Sequence, residues 1–275
     1  MKQYVLVKGG LGNQMFQYAF YLSMKSKGAS CVLDTSLFDV VTMHQGFELE
    51  RVFGITDPTA SRSWIHRNTV RILYKYKPKS LVFADKPFVY CQDALESKRK
   101  YYTGCWIHPL YFMSIEEEVR GAFSFVGISE KNKEFADELS NIESVSLHIR
   151  RGDYLNSPIY DVCKEDYHKN AIARILEGVD NPQFIVFSDD VQWCNDYMRR
   201  FNVNYRMVDW NNGKDSYQDM YLMSKCKHNI IANSTFSWWG AWLNANPDKI
   251  VVSPSKWTTE SEMNYSIKNW KFINV

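Results

Sequence analysis

From Val145 to Val252 short apolar runs alternate with segments of helical spacing. Val145–Ile149, Phe184–Phe187, Tyr205–Val208, Asn229–Ala232 and Ile250–Val252 read as strands, and residues 165–176, 191–201, 216–226 and 237–244 as the helices between them. A strand followed by a helix and another strand needs a crossover connection. Repeated βα units therefore mean a parallel sheet with helices on both faces, a doubly wound α/β architecture.

The first of these strands changes character along its length. Val145, Leu147 and Ile149 share one face of a period-2 pattern, which predicts a half-buried strand, and Ser146, His148 and Arg150 share the other. Arg151, Asp153 and Tyr154 then leave the carboxyl end around Gly152, the end at which open α/β sheets bind ligands. Adjacent arginines carry fixed charge and planar forks of donors that match phosphate oxygens. The competing reading is an Arg–Asp pair that only ties the turn together.

Two further stretches carry the same chemistry. Tyr4–Val7 reads as a strand, followed by the turn Gly9-Gly10-Leu11-Gly12-Asn13-Gln14 and a helix with Met15, Phe16, Ala19 and Leu22 at helical spacing. The next strand, Cys31–Leu33, ends in Asp34. This imitates a dinucleotide-binding fingerprint, but Met15 stands where the third small residue is needed for close helix–strand packing. A Gly-rich turn feeding a helix still makes an anion cradle. Later, Asn233-Ser234-Thr235-Phe236-Ser237-Trp238-Trp239-Gly240 places hydroxyls at a helix start directly after a strand, the geometry of a phosphate site. The paired tryptophans read as core, because so apolar a helix must bury one face. Ser188-Asp189-Asp190 reads as a helix N-terminus rather than a metal site, since the chain has no D-x-D arrangement.

The string H-x-R-R-G-D-Y, from His148 to Tyr154, resembles the signature of the α1,2-fucosyltransferases. G-G-L-G-N-Q-M-F-Q-Y-A from Gly9 and the stretch from Asn233 to Ser237 agree with it, so the chain resembles a bacterial α1,2-fucosyltransferase of glycosyltransferase family 11 from Tyr4 to about Asn244. The resemblance implies a GT-B-like fold of two Rossmann-like domains facing across a cleft. The first, 1–135, is the acceptor-side domain with the Gly-rich turn; the second, 136–275, binds GDP-fucose, and the C-terminal segment can pack back on the first. It further implies transfer of L-fucose from GDP-β-L-fucose to the 2-hydroxyl of a galactosyl acceptor with inversion, no required metal, and no cofactor other than substrate. By motif, Gly10, Gly12 and Asn13 approach the diphosphate, Arg150 grips it and His148 borders the guanine. Asp219 accepts from the guanine N1 and N2 donors, and Ser234, Thr235 and Ser237 complete the phosphate pocket.

Inversion needs a group to take the proton from the acceptor hydroxyl. Asp153 is the first candidate, three residues beyond Arg150, with Gly152 free to turn the backbone; the rival role for Asp153 is an ion pair with Arg150 or Arg151. Asp34, Asp161 or no carboxylate at all are the alternatives. At the level of function the alternatives are a catalytically silent nucleotide-sugar or glycan-binding protein and a dinucleotide-dependent oxidoreductase.

Net charge +2 on 275 residues is too small to imply a nucleic-acid partner, and six cysteines without C-x-x-C spacing suggest reduced thiols in a cytoplasmic protein. There is no secretory leader pattern and no apolar span of about 20 residues. Arg62, Arg67, Arg71, Lys75, Lys77 and Lys79, interleaved with Trp64, Ile65, Ile72 and Leu73, form a basic segment. It reads first as a solvated helix face; the functional alternative is peripheral contact with anionic lipid headgroups, suited to a lipid-linked acceptor glycan.

Overall fold

A computed structural model describes residues 2–39, 45–60, 63–262, 267 and 270–274, apart from the side chains of Asp153 and Glu262. Arg62 and part of the Phe38–Phe47 region lie outside the described residues. The chain divides into two compact units, Met1–Gly127 and Ile128–Val275.

The first unit is built on a four-stranded parallel sheet of β1 (Gln3–Leu6), β2 (Cys31–Asp34), β3 (Val82–Ala84) and β4 (Tyr101–Thr103), in the order β2-β1-β4-β3. Helix α1 (Leu11–Ser26) connects β1 to β2 and is buried on nearly every face. Short helices α2 (Leu49–Phe53), α4 (Asp93–Glu96) and α5 (Glu116–Ala122) fill the connections, and α3 (Trp64–Tyr76) packs Val70 and Leu73 against Leu6, Val82 and Tyr101. The strand order reverses between β1 and β4, so the Gly-rich turn after β1 opens at a topological switch point.

The second unit opens with α6 (Glu130–Ser140), capped by the Ser129 side chain, which accepts from the Asn132 amide. Its sheet comprises β5 (Ser144–Ile149), β6 (Gln183–Ser188), β7 (Tyr205–Val208), β8 (His228–Ile230), β9 (Val251–Pro254) and β12 (Trp270–Ile273) in the order β12-β9-β8-β5-β6-β7, all pairs parallel. Helices α7 (Glu165–Leu176), α8 (Val191–Met198), α9 (Tyr217–Lys225) and α10 (Thr235–Leu243) make the crossovers, and β10 (Lys256–Thr258) with β11 (Ser261–Glu262) forms a small antiparallel pair. The C-terminal segment adds β12 in register beside β9, Trp270 opposite Val251.

Strand alternation divides the second core. Val145, Leu147, Ile149, Phe184 and Val186 pack against α7 and α8, while Ile185, Phe187 and Val208 pack against α6 and α9. β5 is buried on both faces rather than on one, as expected for a parallel strand covered on both sides. Its two serines are satisfied inside: Asn229 Nδ2 donates to Ser146 Oγ at 2.7 Å, and Ser144 Oγ donates to the Leu139 carbonyl at 2.9 Å. Among the described residues no helix is long and apolar enough to cross a membrane.

Candidate active site

In the second unit β6 and β7 build to one side of β5, and β8, β9 and β12 to the other. The order reverses between β5 and β8, so their carboxyl ends border the crevice where sheets of this kind take ligands. The segment following β5 carries Arg150 to Tyr154, and the segment following β8 leads into α10 through Asn233 and Ser234. Contacts tie these segments together at the strand ends. Tyr154 Oη donates to the Asn233 carbonyl at 2.9 Å, and the rings of His148 and Phe236 lie 6.0 Å apart.

The arginines are set by strand register. Ile149 is the parallel partner of Ser188, and the two residues that follow on each chain continue the match as ion pairs. Arg150 Nη1 lies 2.8 Å from Asp189 Oδ2, and Arg151 Nε donates to Asp190 Oδ2 at 3.0 Å. Arg151 also stacks 3.4 Å above the Trp193 ring, and its amide donates to Asp189 Oδ1 at 2.9 Å. Asp190 caps α8 by accepting from the Trp193 amide, so the acidic pair marks a helix start and fixes both arginines. The Arg150 guanidinium is 5.6 Å from the Tyr154 ring centre and keeps partial exposure.

Gly152 has a physical reason that the sequence reading missed. It is not among the glycines with positive φ. A Cβ there would stand 2.3 Å from Asp189 Oδ2, so the residue is small because the carboxylate that holds Arg150 passes against it. The Asp153 backbone lies in the 3₁₀ turn Gly152–Asn156.

His148 is buried, and its Nδ1 has no hydrogen-bond partner. Burial, helped by the neighbouring Arg150 charge, pushes its pKa down to about 3, so the ring is neutral at physiological pH. At the α10 start, Ser234 Oγ accepts from the Phe236 amide at 3.3 Å. Ser237 Oγ accepts from the Ala232 amide at 3.2 Å and donates to the Ser234 carbonyl at 3.4 Å, fully inside. Ser237 therefore braces the loop, whereas Thr235 is partly exposed at the first helical position. Trp238 and Trp239 are core residues with no exposed surface.

Asp219 stands in the first turn of α9. Gly240 lets α10 lie close to α9, since a Cβ there would meet Met223 Cβ at 2.8 Å. Asn211 Nδ2 donates to Asp219 Oδ1 at 2.8 Å, and Asn211 is itself held by Asn132, whose Nδ2 donates to Asn211 Oδ1 and Gln218 Oε1 at 2.8 Å each. Trp210 Nε1 donates to Asn132 Oδ1 at 2.8 Å. Burial pushes the Asp219 carboxyl up to about 7, the Asn211 bond acting against the shift. Nothing in the residue spacing announced this amide network, which draws on positions up to 87 residues apart.

The first unit holds the remaining predicted residues. Gly9, at φ +80°, makes the turn, Gly10 caps α1, and Gly12 and Asn13 lie in its first turn, Gly12 buried. Gln14 Nε2 donates to the Gly9 and Gly46 carbonyls at 2.8 Å each, and its Oε1 accepts from the Glu48 amide at 2.9 Å. Gln17 Oε1 accepts from the Lys8 amide at 2.9 Å, while its Nε2 donates to the Gly104 carbonyl at 3.0 Å. The glutamines of this motif thus tie its loops together. Asp34 is fully buried and bonded to Ser36 and, at 2.8 Å, to His66 Nε2. Asp161 is exposed and lies 3.4 Å from Lys164.

The family described as Glycosyl transferase family 11 matches residues 2–274. An alpha-1,2-colitosyltransferase of Escherichia coli is 34% identical over 267 residues, covering 93% of this chain and 92% of the relative. The O-antigen biosynthesis glycosyltransferase WbnK of Escherichia coli is 37% identical over 288 residues, 92% of this chain and 94% of its own. In fold, the crystal structure of the fucosyltransferase NodZ from Bradyrhizobium superposes with a TM-score of 0.51 at 16% identity, over 87% of this chain and 90% of that one, which supports the GT-B-like architecture. The chain belongs to glycosyltransferase family 11.

Proposed function

We propose that this glycosyltransferase moves L-fucose from GDP-β-L-fucose to the 2-hydroxyl of a galactosyl acceptor in α1,2 linkage, with inversion, in the synthesis of a surface glycan such as an O-antigen. The observation that carries the reading is the convergence at the β5/β8 switch point. A cation held in place by Asp189 and a helix start suit a diphosphate, and a neutral buried imidazole suits a base edge. A carboxylate braced by amides suits the paired N–H donors of guanine.

In this reading Arg150 meets the departing diphosphate, and Thr235 with the α10 amides meets its other oxygens. Asp219 and His148 hold the guanine, with Ser234 and Ser237 shaping the pocket from behind. Asp153 takes the acceptor proton. The negative charge that grows on the leaving β-phosphate is stabilised by preorganised donors.

A second reading concerns the donor sugar, because one relative is named as a colitosyltransferase. Purified enzyme offered GDP-fucose and GDP-colitose in parallel, with a galactoside acceptor and the product linkage read by NMR, separates the two. Preferred turnover of GDP-fucose into an α1,2-linked product is expected; turnover of GDP-colitose alone would replace the donor assignment, and binding of GDP without transfer would favour a silent binding protein.

A further inference from the structure

Helix α3 of the first unit has two unlike sides. Val70 and Leu73 are buried against the sheet, and the first turn is fastened by the His66–Asp34 bond and the Ser63 cap. On the outer side Trp64, Ile65, Ile72 and Tyr76 are 72, 72, 58 and 68% exposed. At about 100° per residue, Ile65, Ile72 and Tyr76 share one narrow stripe, and Lys75, Arg71 and Trp64 fall along its border. Lys77, Lys79 and the 44% exposed Leu81 continue the surface beyond the helix. No acidic residue occurs between Asp57 and Asp85.

A purely basic helix face is content in water, but four large apolar side chains on one exposed helix are not. What covers them has to be apolar at the stripe and anionic at its border. A second copy of the chain meets the first demand and fails the second: a two-fold pairing of this face sets Arg71, Lys75, Lys77 and Lys79 against like charges with no carboxylate between them. The boundary of an anionic bilayer meets both, with headgroup phosphates for the arginines and lysines, the acyl border for Ile65 and Ile72, and the interfacial level for Trp64 and Tyr76.

We propose that the outer face of α3 docks this enzyme on anionic lipid headgroups, the helix lying along the membrane surface. The association is peripheral and reversible, and it is independent of which sugar is transferred.

Flotation of the full chain with phosphatidylcholine vesicles, with and without phosphatidylglycerol, tests this. Two variants alter only exposed side chains: Arg71→Ser with Lys75→Ser, and Ile65→Ser with Ile72→Ser and Tyr76→Ser. The wild type should float with phosphatidylglycerol vesicles at low salt and leave them at high salt. Each variant should bind roughly tenfold more weakly, with turnover of a water-soluble acceptor unchanged. Absence of flotation at low salt overturns the proposal, as does flotation indifferent to phosphatidylglycerol or to both variants. A concentration-dependent dimer that the apolar variant dissolves, without vesicle binding, overturns it in favour of a second copy.

Discussion

Arg150 Nη1 lies 2.8 Å from Asp189 Oδ2 because the residue before each, Ile149 and Ser188, are parallel partners at the ends of adjacent strands. The pair is partly exposed, so its contribution to folding is small. Its value lies in fixing one edge of the guanidinium at the carboxyl end of β5. Arg150→Ala should remove a charge-assisted fork from the leaving diphosphate and cost roughly 3–5 kcal/mol, two to four orders of magnitude in kcat/KM. Lysine, which lacks the fork, should restore little. A folded alanine variant that keeps more than about a tenth of wild-type kcat/KM would remove Arg150 from this role.

Gly152 gives an independent check on the same geometry. Alanine there meets the Asp189 carboxylate at 2.3 Å, so one of the two has to move and Arg150 loses its brace. Gly152→Ala and Asp189→Ala should each lower kcat/KM by roughly tenfold, and the double variant should be little worse than either, since both act through one contact. Additive losses would mean that the glycine serves the backbone instead.

These contacts also mark where sequence legibility ended. The βα alternation was readable because periods of 2 and 3.6 differ sharply over long segments, and α7 has the bounds its spacing predicts, Glu165–Leu176. β3 is three residues long, too short for a period to register. α6 hid in a charged stretch because only Phe135, Ala136, Leu139 and the polar Asn132 face inward. At the site, Arg150, His148 and Ser234 were legible as residue types at the end of a strand or start of a helix. Their partners were not: Asp189 is 39 positions from Arg150, and register, not proximity in sequence, brings them together.

Divalent metal should be dispensable. Both carboxylates of the Ser188–Asp190 stretch are engaged with Arg150 and Arg151, and a fixed cation with a helix start can balance the charge of the leaving diphosphate that a metal would otherwise neutralise. Turnover should survive excess EDTA. Complete loss on chelation, restored by Mg²⁺ or Mn²⁺, would show another mode of diphosphate binding.

Asp153 is the proposed base, carried by the turn that begins at Gly152. Asp153→Asn should lower kcat by ~10²–10⁴ with GDP affinity little changed, because the proton acceptor is lost and the nucleotide site is not. A purely structural aspartate predicts a different pattern, with weaker GDP binding and a lower Tm together. Near-normal kcat with intact stability would leave the reaction without an essential base at this position, as an oxocarbenium-like path allows.

Burial of Asp219 couples GDP binding to pH. Burial raises this carboxyl to about 7 from 3.8, so the folded chain holds the proton more tightly than the unfolded one. Its contribution to stability is therefore favourable at low pH and falls as pH rises from 3.8 through about 7. Guanine binding runs the other way. The N1 and N2 groups both donate, so they require the ionised carboxylate, and GDP should bind with release of a proton below pH 7. GDP affinity should fall by close to tenfold per pH unit below about pH 7 and level off above it. His148 does not blur the profile, because its imidazole stays neutral until about pH 3. Asp219→Asn should weaken GDP binding and flatten the pH dependence together, and calorimetry in two buffers of different ionisation enthalpy counts the proton directly. A pH-independent GDP affinity between pH 5 and 8 in the wild type would detach Asp219 from the guanine.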